Sequence, residues 1–306
     1  MNKRNLWMVI LMVALMALWG CSDDDDDPAP VPTVFETLVK SMDDYINGDN
    51  CPGVISAAQI NADLNAKGAD AWWVIDIRSA SDFAAGHIGN AETVINTNLT
   101  GLKAAVADWD KDQQIVITCY SGQSAGFAKV AMEMWGFTNV KSLKWGMSDW
   151  HVDNSGSWNG VMTDGNTLPV DMIEQTNNAD DLETHDFPEP MADTVDECVD
   201  AILAEGFGAN AKAFNDPNNP GGSILPGLED GTVDWFILNY HPLNVYLGED
   251  TASNVPGHVE GAFQFTPGES LGWGQMLENL PTDRPIAVYC WTGQTSSQIA
   301  CYLNML

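Results

Sequence analysis

The sequence predicts an α/β protein built from two similar units, each a parallel sheet flanked by helices. Three observations carry this expectation. Short apolar runs suited to buried strands, Trp72–Ile77 and Ile115–Thr118, lie among stretches of helical periodicity. Two motifs recur at one offset. Gly86-His87-Ile88-Gly89-Asn90-Ala91 returns as Gly257-His258-Val259-Glu260-Gly261-Ala262, and Cys119-Tyr120-Ser121-Gly122-Gln123-Ser124 returns as Cys290-Trp291-Thr292-Gly293-Gln294-Thr295, both 171 residues later. The interval from His to Cys is 32 residues in each copy. Matching intervals of this kind mark a duplicated structural unit.

Composition bounds what the units can do. The chain has 306 residues, 45% of them apolar, which is enough for two domains with real cores. Six cysteines are too sparse for a disulfide-stapled miniprotein. Twelve Lys and Arg stand against 43 Asp and Glu, a net charge of -31. Nucleic-acid binding needs clustered cations and is excluded as a function class. Unaided electrostatic attachment to an anionic membrane is disfavoured for the same reason.

Taken in order, residues 1–20 read as a signal peptide. Lys3 and Arg4 precede an apolar run from Leu6 to Trp19 that is short for a spanning helix. The run ends Leu18-Trp19-Gly20-Cys21, which resembles the cleavage box of bacterial lipoproteins. That resemblance implies lipidation of Cys21 and a place in a bacterial cell envelope, at the outer membrane, on its periplasmic or surface face. Residues 21–33 read as a tether. Asp23 to Asp27 repel one another and the prolines at 28, 30 and 32 hold the segment extended, giving a reach of about 35 Å. The acidic run also resembles surface-export signals of some Gram-negative lipoproteins. Loss of residues 1–20 would leave 10 basic against 43 acidic side chains, net -33.

The first unit is expected over 34–153, with its core at 53–153. Phe35, Leu38, Val39 and Met42 form a leading amphipathic helix, matched by Val195, Cys198, Val199 and Ile202 in the second unit. The strand Ile115–Thr118 runs directly into Cys119. A helix follows, with Phe127, Val130, Ala131 and Met134 on one face and Gly136 as its stop. A further strand is expected near Val140–Leu143. Residues 154–193, rich in Asn, Asp, Gly, Thr and Pro, read as a mostly irregular linker. The second unit is expected over 194–306, with its core at 222–306. There Ile286–Tyr289 leads into Cys290, and Ile299, Tyr302, Leu303 and Leu306 mark the helix. Leu306 corresponds to residue 135, so counterparts of 136–150 are missing. The second domain is expected to be incomplete at its C-terminus, as in a fragment.

A strand ending in Cys, a loop with a central Gly, then a helix forms an anion cradle. Loop N–H groups and the helix dipole stabilise negative charge on the sulfur and are expected to lower the thiol pKa. Gly122 and Gly293 let the backbone curl, and Ser121, Ser124, Thr292 and Thr295 add hydroxyl donors. At these residues the chain resembles the rhodanese family. Asp76-Ile77-Arg78, Gly86-His87-Ile88, the Cys119 loop and Leu143-Lys144-Trp145-Gly146-Met147-Ser148-Asp149-Trp150 follow that family's order. The resemblance implies a tandem rhodanese lipoprotein and sulfurtransferase activity. Cys119 and Cys290 would carry sulfane sulfur as persulfides. Residues 120–124 and 291–295 would form the substrate-binding loops. The implied partners are a sulfur-containing donor and a thiol, cyanide or protein acceptor. The resemblance and the absence of a phosphate-binding Gly motif or metal-ligand spacing imply no cofactor and no metal.

The remaining candidates receive structural readings. Asp76 and Arg78 are expected to pair or to orient the loop. His87 and His258 are expected to hydrogen-bond to backbone. The second copy has Asn239-Tyr240-His241 where the first has Asp76-Ile77-Arg78, and eight more residues before its Gly-His motif. A related phosphatase subgroup has a longer loop ending in Arg. Ala125 and Ser296 stand at the next position here, and neither loop holds a cation, so phosphate chemistry is poorly supported. The same neutrality weighs against dianionic thiosulfate as the natural donor. Cys301 and Cys198 read as core residues. Export leaves a Cys51–Cys198 disulfide open. Two other function classes stay open: a non-catalytic docking module, and a thiol redox protein using Cys119 with Cys290 or Cys290 with Cys301.

Overall fold

The computed structural model describes residues 31–48, 51–156, 159, 177–178, 182–212, 222–249 and 257–306. The expected signal peptide, the lipidation site Cys21 and the acidic run Asp23–Asp27 lie outside the described residues. No helix among the described residues is long and apolar enough to cross a membrane.

The chain enters through α1 (Val34–Ile46). Thr33 caps it, accepting from the Glu36 N–H while its own N–H donates to the Glu36 carboxylate. This reciprocal pair satisfies two donors that a helix start leaves unbonded. The first sheet follows, with β1 (Val54–Ile55), β2 (Trp73–Asp76), β3 (Val94–Asn96), β4 (Ile115–Thr118) and β5 (Val140–Leu143). Its order is β1-β5-β4-β2-β3 and every pairing is parallel. Helices α2 (Ala57–Lys67), α3 (Ala80–Ala85), α4 (Leu102–Ala105), α5 (Gln123–Met134) and α6 (Met147–Trp150) make the crossovers and the final turn.

Both faces of this sheet are covered, so its central strand is buried throughout and apolar up to Thr118. Ile115 and Ile117 of β4 pack with Leu102, Val106, Ala128 and Met132 on one side. Val116 packs with Ile60, Leu64, Leu143 and Met147 on the other. Full burial of each such side chain stabilises the fold by about 1.5–3 kcal/mol.

The second sheet contains β6 (Asn177–Asn178), β7 (Phe236–Asn239), β8 (Phe263–Gln264) and β9 (Ile286–Tyr289), in the order β6-β8-β7-β9 and again parallel. The set β8-β7-β9 repeats the order β3-β2-β4. The segment expected to be an irregular linker thus contributes an edge strand. Asn177 and Asn178 have no strand propensity; pairing with Phe263 and Gln264 sets their conformation. The helices here are α7 (Val195–Glu205), α8 (Phe207–Asn210), α9 (Leu225–Asp230), α10 (Leu243–Tyr246) and α11 (Gln294–Met305).

Residues 33–306 form one compact unit. Its largest apolar cluster is common to both copies. Leu38 and Met42 of α1, Phe127 and Val130 of α5, Val199 and Ile202 of α7, and Ile299 and Tyr302 of α11 are buried in it together. Helices α5 and α11, which start at the two Cys loops, pack directly on each other. They touch at Gly126, where an added Cβ would lie 2.7 Å from Ser297 Oγ and 2.8 Å from the Gln294 carbonyl oxygen.

Candidate functional site

Cys119 stands at the carboxyl end of β4, where open parallel sheets place their ligands. The chain then turns through Gly122, whose φ of +90° favours glycine, into α5. Cys290 has the same setting after β9, with Gly293 at φ +75° leading into α11. The Gly122 N–H lies 3.1 Å from Cys119 Sγ and the Ser296 N–H lies 3.4 Å from Cys290 Sγ. Cys119 is buried and Cys290 half-buried.

The Cys119 thiol departs from the expected direction. Burial pushes its pKa up, and the backbone N–H groups of Ala125, Ser121, Gly122 and Ser124 offset only part of that rise. The sequence shows the donors and hides the desolvation that outweighs them in the resting thiol.

The residues after each Cys differ in their anchoring. Tyr120 hydrogen-bonds through its hydroxyl to Asp82, and the Ser79 N–H donates to that hydroxyl at 3.2 Å. Hydrogen bonds from Ser79 and Tyr120 hold the Asp82 carboxyl below its ordinary pKa, so a carboxylate stands beside the Cys119 loop. Trp291 is exposed and leans on His241, with ring centroids 4.7 Å apart.

Behind the first loop lies a buried ion pair. Arg78 Nη2 donates to Asp76 Oδ2 at 2.7 Å and to the Gly86 carbonyl at 2.6 Å, and Nη1 reaches Asn154 Oδ1 at 3.3 Å. Asn96 Nδ2 donates to the Asp76 and Arg78 carbonyls at 2.8 and 3.0 Å. In the second copy Asn239 Nδ2 lies 3.1 Å from His241 Nδ1, and Gln264 Nε2 donates to the His241 carbonyl at 2.8 Å. Burial lowers the His241 pKa to about 4, so the ring is neutral. Its Nε2 has no partner among the described residues.

His87 and His258 both bond to backbone, Nδ1 lying 2.9 Å from the Phe83 oxygen and 2.8 Å from the Tyr246 oxygen. Each ring stacks on the aromatic ring of the residue it bonds, Phe83 or Tyr246. Cys51 and Cys198 are free thiols, so the disulfide left open by the sequence is not formed. Cys301 lies in the shared core, and burial pushes its thiol far up. Among the described residues, no group of three or more His, Cys, Asp and Glu side chains is placed to hold a metal ion.

The floor of the Cys119 loop is the turn from Leu143 to Met147. The Met147 N–H donates to the Cys119 carbonyl at 2.8 Å and the Ser148 N–H to the Tyr120 carbonyl at 3.1 Å. A Cβ on Gly146 would lie 2.4 Å from the Cys119 oxygen and 2.7 Å from the Gly122 nitrogen. Trp145 takes φ +56°, which costs a bulky residue about 1–2 kcal/mol.

Two of the expected substrate-loop residues turn elsewhere. Gln294 Oε1 accepts from the Trp145 N–H at 3.0 Å, and its Nε2 donates to the Leu143 carbonyl at 3.1 Å. Gln123 Nε2 donates to the Thr292 carbonyl at 2.9 Å. Each glutamine therefore bonds the opposite copy. The identity of Gln123 and Gln294 at matching loop positions is a sequence signal for this; the facing of the two loops is not.

A buried cysteine at a strand-to-helix turn, ringed by backbone donors at the end of a parallel sheet, defines an α/β protein with a cysteine-centred loop of the anion-cradle type. Comparison with known proteins names the family. Residues 56–153 match the rhodanese-like domain. The thiosulfate sulfurtransferase GlpE of Pseudomonas fluorescens is 36% identical over 79 residues, 26% of this chain and 70% of that protein. The GlpE of Shewanella oneidensis is 35% identical over 82 residues, 27% of this chain and 78% of its own. A crystal structure of a rhodanese-related protein from Thermoplasma volcanium aligns with 32% of this chain and 88% of its own, at 22% identity and a TM-score of 0.27. The chain belongs to the rhodanese-like family.

Proposed function

We propose that this protein is an exported, lipid-anchored sulfurtransferase with two rhodanese units, carrying sulfane sulfur on Cys119 and Cys290. The observation that carries the reading is the Cys119 sulfur set 3.1 Å from the Gly122 N–H at the mouth of α5. The related thiosulfate sulfurtransferases support it over the first unit. The repeated loop, the parallel sheet and the α11 start support it for the second.

The thiolate attacks the outer sulfur of a donor such as a polysulfide or thiosulfate. A sulfur–sulfur bond forms to Cys, the donor's sulfur–sulfur bond breaks, and the shortened donor leaves with the electron pair. Backbone N–H groups hold the resulting persulfide anion. An acceptor thiolate or cyanide then attacks the outer sulfur and Cys leaves as thiolate. The carboxylate of Asp82 and the neutral loops favour a protein persulfide or an organic polysulfide over a small dianion such as thiosulfate.

Anchoring through a lipid on Cys21, at a bacterial outer membrane, belongs to this proposal. The raised Cys119 thiol favours a second reading, a docking module without turnover. Intact mass of the mature protein, after polysulfide or thiosulfate, separates the two. Wild type should gain one cyanide-removable sulfur per working loop, and Cys119→Ser and Cys290→Ser should each lose one. A folded protein with free thiols that gains none from either donor would leave the docking module.

A further inference from the structure

We infer that Gln294 and Gln123 form a reciprocal clasp through which each copy positions the other's reactive cysteine. The inference rests on Cys119 and Cys290 being sulfur carriers, and it adds two positioning residues whose side chains bond backbone of the opposite copy.

The Cys119 loop lies on the Trp145–Gly146 turn, closely enough that no side chain fits at Gly146. Trp145 holds a left-handed conformation that its bulk disfavours. A strained turn persists only where its surroundings over-determine it. The second copy supplies that restraint. Gln294 bonds both sides of the turn, accepting from the Trp145 N–H and donating to the Leu143 carbonyl. It pins the floor under Cys119, and with it the Gly122 and Ser121 N–H groups that face the sulfur.

The reverse contact reaches the other loop directly. Gln123 Nε2 donates to the carbonyl of Thr292, two residues after Cys290. The fit is mutual in space as well. A Cβ at Gly122 would lie 2.2 Å from Gln294 Nε2, and one at Gly293 would lie 2.4 Å from Gln123 Nε2. Each loop glycine makes the room that the opposite glutamine fills. Ser297 Oγ lies between the pair, its one proton shared between the Gln123 carbonyl at 2.9 Å and the Gln294 carbonyl at 2.7 Å.

The test uses the mature protein with Cys290→Ser, so that only Cys119 loads. Gln294→Ala should slow persulfide formation from polysulfide at Cys119 roughly tenfold, as expected for two lost hydrogen bonds at a restrained turn. Alkylation of the Cys119 peptide by iodoacetamide, read by mass against pH, should move its midpoint upward as the N–H groups lose alignment. Gln294→Glu keeps the acceptor for Trp145 and loses the donor for Leu143, so it should fall between wild type and alanine. Gln123→Ala in a Cys119→Ser background should slow Cys290 in the same way. Circular dichroism verifies the fold, and Gln294→Glu carries both readouts should the alanine variant not fold. Folded Gln294 variants with unchanged loading and an unchanged alkylation profile would overturn the clasp. Wild type that takes no sulfur, with an alkylation profile that still moves in Gln294→Ala, would remove the sulfurtransferase reading and leave the clasp standing.

Discussion

At the carboxyl end of β2, Arg78 is sealed against Asp76 and ties the strand to Gly86 and Asn154. At the same place on β7, a neutral Asn239–His241 pair stands in its stead, and its outermost ring leans on Trp291. The first loop also has a floor from its own copy, the Leu143–Met147 turn. Among the described residues the second loop has Gln123 from across the interface. Both loops borrow a glutamine from the opposite copy; the first adds a buried ion pair and a floor from its own copy, where the second has a neutral pair. The strand-Cys-loop-helix arrangement recurs while its supports differ.

The widest separation between the copies should appear when each support is cut. Arg78→Ala leaves Asp76 buried and unpaired, so it should lower unfolding free energy by about 3–5 kcal/mol in denaturant titrations. His241→Ala removes a neutral contact and should cost about 1 kcal/mol. Equal losses would show that the ion pair is not what distinguishes the first copy.

Gly146→Ala comes next. It puts a methyl 2.4 Å from the Cys119 oxygen at a φ of +58°, and should cost about 2 kcal/mol or more. Sulfur loading should drop at Cys119 and persist at Cys290; a uniform drop would contradict a floor specific to the first loop.

Acid should single out the second copy. The His241 pKa is lowered from 6.5 to about 4 in the fold, so between those values the unfolded chain binds the extra proton. Stability is complete above pH 6.5 and declines as pH falls toward 4. His241→Asn should flatten that part of the stability profile, and an unchanged slope would refute the assignment.

The smallest effect concerns the entrance. Asp82→Asn removes the carboxylate held by Tyr120, and Cys119 should load from thiosulfate roughly twofold to threefold faster. Cys290 should be indifferent. A slower Cys119 would mean that Asp82 serves to orient Tyr120 rather than to repel anions.

Much of the scaffold was legible because buried parallel strands must be apolar. Ile115–Thr118 and Ile286–Tyr289 were readable as strands directly, and the Trp72–Ile77 run contains β2; the strand expected near Val140–Leu143 is half polar, with Lys141 and Ser142 in it. The helix after Cys119 was visible from its apolar face, although it starts four residues before Phe127, at Gln123. Val54–Ile55 and Asn177–Asn178 were not readable, since two residues show no period and a partner strand determines their shape. At the site, the Cys, Gly and backbone donors followed from the loop pattern. The raised Cys119 thiol did not, because desolvation belongs to the packed state. Nor did the partners of Gln123 and Gln294, which depend on α5 meeting α11.

The common core bears on how the recurring motifs divide the chain. The repeat invites a cut between 153 and 194, yet Leu38, Phe127, Val199 and Ile299 bury one another across that line. Severing it would strip a continuous apolar band from both halves at once. The boundary between the two recurring motif sets is therefore not a seam of cooperativity. Residues 33–306 should melt in a single transition, and a substitution in either copy's share of the band should lower the stability of both.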